Sequence, residues 1–171
     1  ILKRQGVTLL VKSEPGKGYI FSFVQTFPVV KVVEDPAGKQ LSIDDEKKSF
    51  AGKAVLLAED NSVNVLVARK LLEKWGIHTD VAVNGKEAVE KFNPSRHSLV
   101  LMDLNMPEMD GYQAARAIRN SNKEVPIIAL TANIAEEVSN DVLNSGMNFI
   151  LTKPFSQQDL KNTLTRYIKT G

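Results

Sequence analysis

Apolar residues along this chain fall into short unbroken runs, with helix-like periodicity between them. Ala54-Val55-Leu56-Leu57-Ala58 runs up to Glu59-Asp60, Leu99-Val100-Leu101-Met102 to Asp103, Ile127-Ile128-Ala129-Leu130 to Thr131, and Phe149-Ile150-Leu151-Thr152 to Lys153. Runs of this length read as strands buried on both faces, which requires crossover helices on each side of a parallel sheet. The intervening segments supply them. Val63, Val67, Leu71 and Trp75, with Leu66 and Leu72 beside them, predict a first helix that stops at Gly76. Ile77 to Val83 reads as a more polar strand, Lys86 to Phe92 as a short helix, and Asn93-Pro94-Ser95 as a break. Gly111 to Arg119 predicts a helix burying Ala114, Ala115 and Ile118, and Ala135 to Ser145 one burying Val138, Val142 and Leu143 before Gly146. The last helix opens on Ser156-Gln157-Gln158-Asp159, a capping-box pattern with Asp in the Glu/Gln position, and carries Leu160, Leu164 and Ile168 on one face. Five strands alternating strictly with five helices describe a doubly wound α/β domain over residues 52–171.

Ahead of this domain, Leu9 to Val11 and Tyr19 to Phe27 are β-like and are separated by Ser13-Glu14-Pro15-Gly16-Lys17-Gly18, which predicts a hairpin over residues 1–28. Residues 29–51 are charged and turn-rich, and read as a linker. An isolated two-stranded hairpin is marginal in water. Leu9, Val11, Phe21 and Phe23 are therefore expected to pack against the main domain or, by strand exchange, against a second copy in a homodimer.

In 171 residues there is room for one full domain and a fragment. A hydrophobic share of 43%, a charged share of 25% and a mean hydropathy of −0.16 describe an ordinary soluble domain without a membrane span. Net charge is only +2, with basic and acidic residues interspersed, so the pI of 8.8 gives little reason to expect nucleic-acid binding. Cysteine is absent, which removes disulfides and thiolate metal sites. The chain begins at Ile1 without a signal pattern and reads as a piece of a longer polypeptide.

Ligands of a doubly wound sheet bind beyond the strands' carboxyl ends, where strand order reverses. The run ends therefore converge there. Three carboxylates, Glu59, Asp60 and Asp103, form an all-oxygen set suited to Mg²⁺, and they repel one another unless a cation lies between them. Singly, each residue has a plainer reading. Glu59-Asp60 suit a helix N-terminus, Asp103 a turn, Thr131 a helix cap, and Lys153 a salt bridge to Asp103. His78 and His97 read as solvent-facing. Together, a carboxylate nucleophile, a cation, an ammonium and a hydroxyl make a site for placing a phosphoryl group on Asp.

Glu59-Asp60-Asn61, Asp103-Leu104-Asn105-Met106-Pro107-Glu108-Met109-Asp110-Gly111, Thr131-Ala132 and Lys153-Pro154-Phe155 resemble the signature of two-component receiver domains. The resemblance implies a flavodoxin-like five-stranded parallel sheet of order 2-1-3-4-5. It also implies that Asp103 accepts phosphate from phosphohistidine, that Asp60, Asp103 and the backbone carbonyl of Asn105 hold Mg²⁺ with Glu59 acting through water, and that Thr131 and Lys153 grip the phosphoryl oxygens. Implied partners are a histidine-kinase dimerisation domain or a histidine phosphotransfer protein, meeting the first helix near Val63 and Leu66. The segment around Gly6, Ser13 to Gly18 and Phe21-Ser22-Phe23 is similar to the closing hairpin of a histidine-kinase ATP-binding domain. Hairpin, linker and receiver in that order are what a hybrid sensor kinase gives: a cytoplasmic module whose parent can be membrane-anchored. No ATP lid, metal-binding Asn helix or phosphorylatable dimerisation-helix His is visible here, so the fragment is not expected to act as a kinase.

Two rivals stand beside this reading. An Asp-nucleophile phosphohydrolase usually carries a second acid two residues after the nucleophile, where this chain has Asn105. A degenerate receiver used only for docking is the other, and the intact acidic set, Thr131 and Lys153 weigh against it. One position departs from the receiver pattern: Ile150 stands where an aromatic residue is usual, and the adjacent Phe149 should point to the opposite face.

Overall fold

A computed structural model describes residues 8–14, 18–24, 50–132 and 136–168 of the chain. The chain divides into two compact units, residues 1–40 and 41–171. In the first, β1 (Thr8–Glu14) and β2 (Gly18–Val24) pair antiparallel, with Thr8 opposite Val24 and Glu14 opposite Gly18. The side chains of this unit, and with them the expected contacts of Leu9, Val11, Phe21 and Phe23, lie outside the described residues, as do residues 25–28 of the expected hairpin and 29–49 of the expected linker.

The second unit runs β3 (Ala54–Ala58), α1 (Ser62–Lys74), β4 (His78–Ala82), α2 (Gly85–Lys91), β5 (His97–Asp103), α3 (Gly111–Ser121), β6 (Ile127–Thr131), α4 (Glu136–Asn144), β7 (Phe149–Thr152), α5 (Gln157–Tyr167). Its five strands form one parallel sheet in the order β4-β3-β5-β6-β7, which is the 2-1-3-4-5 order expected from the resemblance. Strand pleat explains the apolar runs. Val55, Leu57, Leu99, Leu101, Ile128 and Leu130 face one layer with Ala68 and Leu72 of α1, its C-cap Trp75, and Leu160 and Leu164 of α5. Their alternate neighbours Leu56, Ala58, Val100, Met102, Ile127 and Ala129 face the other layer, with Ala88, Ala114, Ala115, Ile118 and Val142. Each large side chain so buried contributes about 1.5–3 kcal/mol, so a polar residue is tolerated only where a strand leaves the core.

Helix ends follow local chemistry. The Asn61 side chain caps α1 by accepting from Val63 and Asn64 N–H, and Gly76, with φ of +78°, closes it as expected. Ser156 and Asp159 form the reciprocal capping box that the sequence predicts for α5. A second box, Asp110 with Gln113, opens α3 and is not anticipated above.

On α1, Val63, Leu66 and Val67 are exposed, as the expected partner contact near Val63 and Leu66 requires, and the sheet-facing stripe is Ala68, Leu72 and Trp75. Two apolar stripes lie side by side on this helix, and the one carrying small Ala68 lies against the strands. Three expectations need correction. Leu143 is exposed because Val142, one residue and about 100° away, takes the inward position of α4. His97 is buried rather than solvent-facing: its Nε2 lies 2.9 Å from Asp80 Oδ2, while its Nδ1 accepts the Asn93 N–H at 3.1 Å. Phe50, placed in the linker by composition, is buried against the α1 layer and donates its N–H to the Trp75 carbonyl. Phe149 and Ile150 do occupy opposite faces, Phe149 with the α5 layer and Ile150 with the other.

Candidate functional site

The chain leaves β3 toward α1 and enters β5 beside it after crossing to β4, so the sheet order reverses between β3 and β5. Their carboxyl ends carry Glu59-Asp60 and Asp103. Glu59 and Asp103 are 2% and 4% exposed, while Asp60 reaches solvent. One carboxylate oxygen from each of the three lies within 4.8 Å of the others. Lys153, following β7, reaches back across the sheet end and donates from Nζ to Glu59 Oε2 at 3.0 Å and to Asp103 Oδ2 at 2.7 Å. Thr131 ends β6, buried, and its carbonyl accepts the Lys153 N–H at 2.6 Å. Every polar run end read from the sequence is therefore at one end of one sheet.

The remaining hydrogen bonds fix these groups. Asp103 Oδ1 accepts the Asn105 N–H at 3.2 Å. Glu59 Oε1 accepts from Asn61 N–H at 3.3 Å and from Asn64 Nδ2 at 2.9 Å. Asn64 has no counterpart in the residues singled out above. Its signal is a second Asn in the first turn of α1, a residue type that helices disfavour unless its side chain has a local partner. Gly111 allows the loop after β5 to close on its own strand: a Cβ there would lie 2.2 Å from the Asp103 carbonyl oxygen.

Lys153 sits between opposing influences. Burial pushes its ammonium down, but hydrogen bonds and charge from Asp103 and Glu59 outweigh that and hold it above the ordinary lysine value. The donor set around it is all oxygen, without His or Cys, two members buried and one open to water, which suits Mg²⁺ with part of its hydration retained. The Lys153–Pro154 peptide is cis.

Beside the acids lies an open groove of about 530 Å³, lined by Asn64, Val67, Ala68, Lys153, Pro154 and Phe155 among others. Val63, Leu66 and Val67 extend its apolar character over the surface of α1, at 66%, 54% and 52% exposure. No helix among the described residues is long and apolar enough to cross a membrane.

Comparison with known proteins agrees with this geometry. The chain is 36% identical over 173 residues to the aerobic respiration control sensor protein ArcB of Escherichia coli K12, covering 99% of this chain and 22% of that protein. It is 42% identical over 118 residues to transcription factor SKN7 of Saccharomyces cerevisiae, covering 69% of this chain and 19% of that one. It thus spans about a fifth of the length of these curated relatives. The receiver domain of sensor histidine kinase PA1611 from Pseudomonas aeruginosa PAO1, solved with magnesium in its active site cleft, superposes with a TM-score of 0.65 at 39% identity. It covers 70% of this chain and 100% of its own. The receiver domain of Saccharomyces cerevisiae Ssk1, solved with the histidine phosphotransfer protein Ypd1, gives a TM-score of 0.66 at 33% identity over 71% of this chain and 92% of its own. The description "response regulator receiver domain" matches residues 55–165, and with the acidic set, Lys153 and the 2-1-3-4-5 sheet all in place the chain belongs to that family.

Proposed function

We propose that residues 52–171 act as the phosphoacceptor module of a two-component phosphorelay, with Asp103 taking a phosphoryl group from a phosphohistidine. The observation that carries this reading is the buried carboxylate at the end of the central strand, held 2.7 Å from an ammonium and within 4.8 Å of two further acids. In the transfer an Asp103 oxygen bonds to phosphorus as the phosphorus–nitrogen bond breaks, and the donor imidazole leaves. Lys153 is the group placed to hold a phosphoryl oxygen, with the Thr131 hydroxyl at the next strand end as a second donor. Asp60, Asp103 and the Asn105 carbonyl would hold Mg²⁺, with Glu59 acting through water. The ion supplies positive charge against the phosphoryl oxygens. Asn61, Asn64 and Lys153 together keep Glu59 oriented for this.

The partner is a helical histidine phosphotransfer domain, or a kinase dimerisation domain, seated on the apolar stripe of α1 and its groove. Exposed Val63, Leu66 and Val67 support this, as does the solved pairing of the Ssk1 receiver with Ypd1. The parent is a hybrid sensor histidine kinase, supported by similarity to ArcB that extends over 99% of the chain and so beyond the receiver match. Intact mass after incubation with acetyl phosphate tests the core of this reading. Wild type should gain one phosphoryl group only when Mg²⁺ is present, and Asp103→Asn none. Labelling of Asp103→Asn at the wild-type rate would overturn it.

A further inference from the structure

The loop after β5, residues 104–110, carries the Asn105 carbonyl. Gly111 N–H to the Leu104 carbonyl at 3.1 Å draws its two ends together, and Asn105 N–H to Asp103 Oδ1 ties it to its own strand. Its far side leans on a different element. Gly85, the first residue of α2, donates its N–H to the Met109 carbonyl at 3.0 Å, and Asn84 donates from Nδ2 to Glu108 Oε1 at 3.0 Å. Asn84 does this while its Oδ1 caps α2 by accepting the Glu87 N–H at 2.7 Å. One side chain thus ends a helix and holds the loop. Glu108 is the one non-glycine residue with positive φ among the described residues, at 64°, a conformation that costs energy and is kept only where the surroundings dictate it.

The contact at Gly85 is too close for any side chain. A Cβ there would stand 2.4 Å from the Met109 carbonyl oxygen and 3.0 Å from that of Asp110, both backbone atoms that cannot swing aside. The glycine is therefore needed for space, not for its own dihedral angles.

We propose that Asn84 and Gly85 are positioning residues of the phosphorylation site: the β4–α2 turn clamps the loop after β5 and so fixes where the Asn105 carbonyl meets the metal. This rests on the metal-binding roles proposed above for Asp60, Asp103 and Asn105. Displacing Met109 moves a short loop pinned at Gly111, and the displacement has to be taken up between residues 104 and 109, where Asn105 lies. Outer-shell partners of metal ligands matter in this way, by holding a ligand in place rather than by touching the ion.

The test is Mg²⁺ affinity of the unphosphorylated protein by isothermal titration calorimetry, with melting curves to report folding. Gly85→Ala should bind Mg²⁺ about tenfold more weakly, the lower end of the range for outer-shell losses. Asn84→Ser keeps an efficient helix cap but cannot reach Glu108, and should weaken binding by about two- to threefold. If Gly85→Ala does not fold, Asn84→Ser decides. A folded Gly85→Ala, or failing that Asn84→Ser, with wild-type affinity overturns the proposal, because a merely structural role would lower the melting temperature alone. Asp60→Ala serves as reference. If it too binds Mg²⁺ as wild type does, the metal reading itself has failed and not the clamp.

Discussion

Replacing Lys153 by Met removes the ammonium while keeping much of its length. In the folded chain that ammonium lies 3.0 Å from Glu59 and 2.7 Å from Asp103, both buried. Without it, these two acids and Asp60 face one another with oxygens no more than 4.8 Å apart. At an effective dielectric of about 20, two unit charges at about that distance repel by roughly 3 kcal/mol. Water entering the crevice and rotation of the exposed Asp60 relieve part of this, leaving a loss of about 2–3 kcal/mol, slightly below the usual cost of breaking a buried pair. At about 4 °C per kcal/mol for a domain of this size, the melting temperature should fall by about 10 °C. A divalent cation replaces the missing charge and binds only the folded form, so saturating Mg²⁺ should close more than about half of that gap. Circular-dichroism melts of both proteins in chelator and in Mg²⁺ read this directly. An equal deficit in both conditions would refute carboxylate repulsion as its cause, and no deficit would refute the counter-ion role of Lys153. The pH dependence has a definite sign. A lysine whose folded pKa is raised contributes its stability fully below the ordinary lysine range and loses it as pH rises through the folded value. The deficit should therefore hold steady from neutral pH upward and close only above about pH 10.4.

The part of the site legible in the sequence is the part that fold topology dictates. A buried parallel strand cannot carry a charge until it leaves the core, so Glu59, Asp103 and Lys153 had to lie at strand ends, and a doubly wound sheet brings those ends together with Thr131 at the end of β6. The groups around them come from positions where the sequence shows only common residues. Asn64 looks like a poor helix former until Glu59 is seen beside it, and Gly85 like a helix-start residue until the Met109 carbonyl is seen against it. His97 was unreadable for a related reason. Its partner Asp80 lies two strands away, on the far side of β3, where Asp80 is in register with Leu56 and His97 with Ala54. On α1, hydrophobic periodicity marked the helix but not which of two adjacent apolar stripes faced the sheet. Only the packing of Ala68, Leu72 and Trp75 decides that, and it leaves Val63, Leu66 and Val67 exposed.

Two further outcomes follow from exposure and pairing. Val63→Asp and Leu66→Asp should change stability by no more than about 0.5 kcal/mol, since both residues are exposed, yet slow labelling by a phosphohistidine donor while sparing acetyl phosphate. Equal loss with both donors would place the defect in the acidic site instead of the docking stripe. Asp80→Ala removes the carboxylate that partners the buried His97 ring, and which also meets Arg96 at 2.8 Å and His78 at 3.1 Å. Leaving a buried ring N–H without its partner costs about 1–3 kcal/mol. Hydrogen bonding from His97 holds the Asp80 carboxyl below the ordinary carboxylate range; burial opposes this, and Arg96 and His78 add to it. A depressed carboxylate contributes stability above its unfolded pKa and loses it as pH falls through the lower folded value. The difference between wild type and Asp80→Ala, measured by urea unfolding, should therefore be full at neutral pH and shrink below about pH 4. A gap that stays constant into strong acid would mean that Asp80 acts by packing and not by charge.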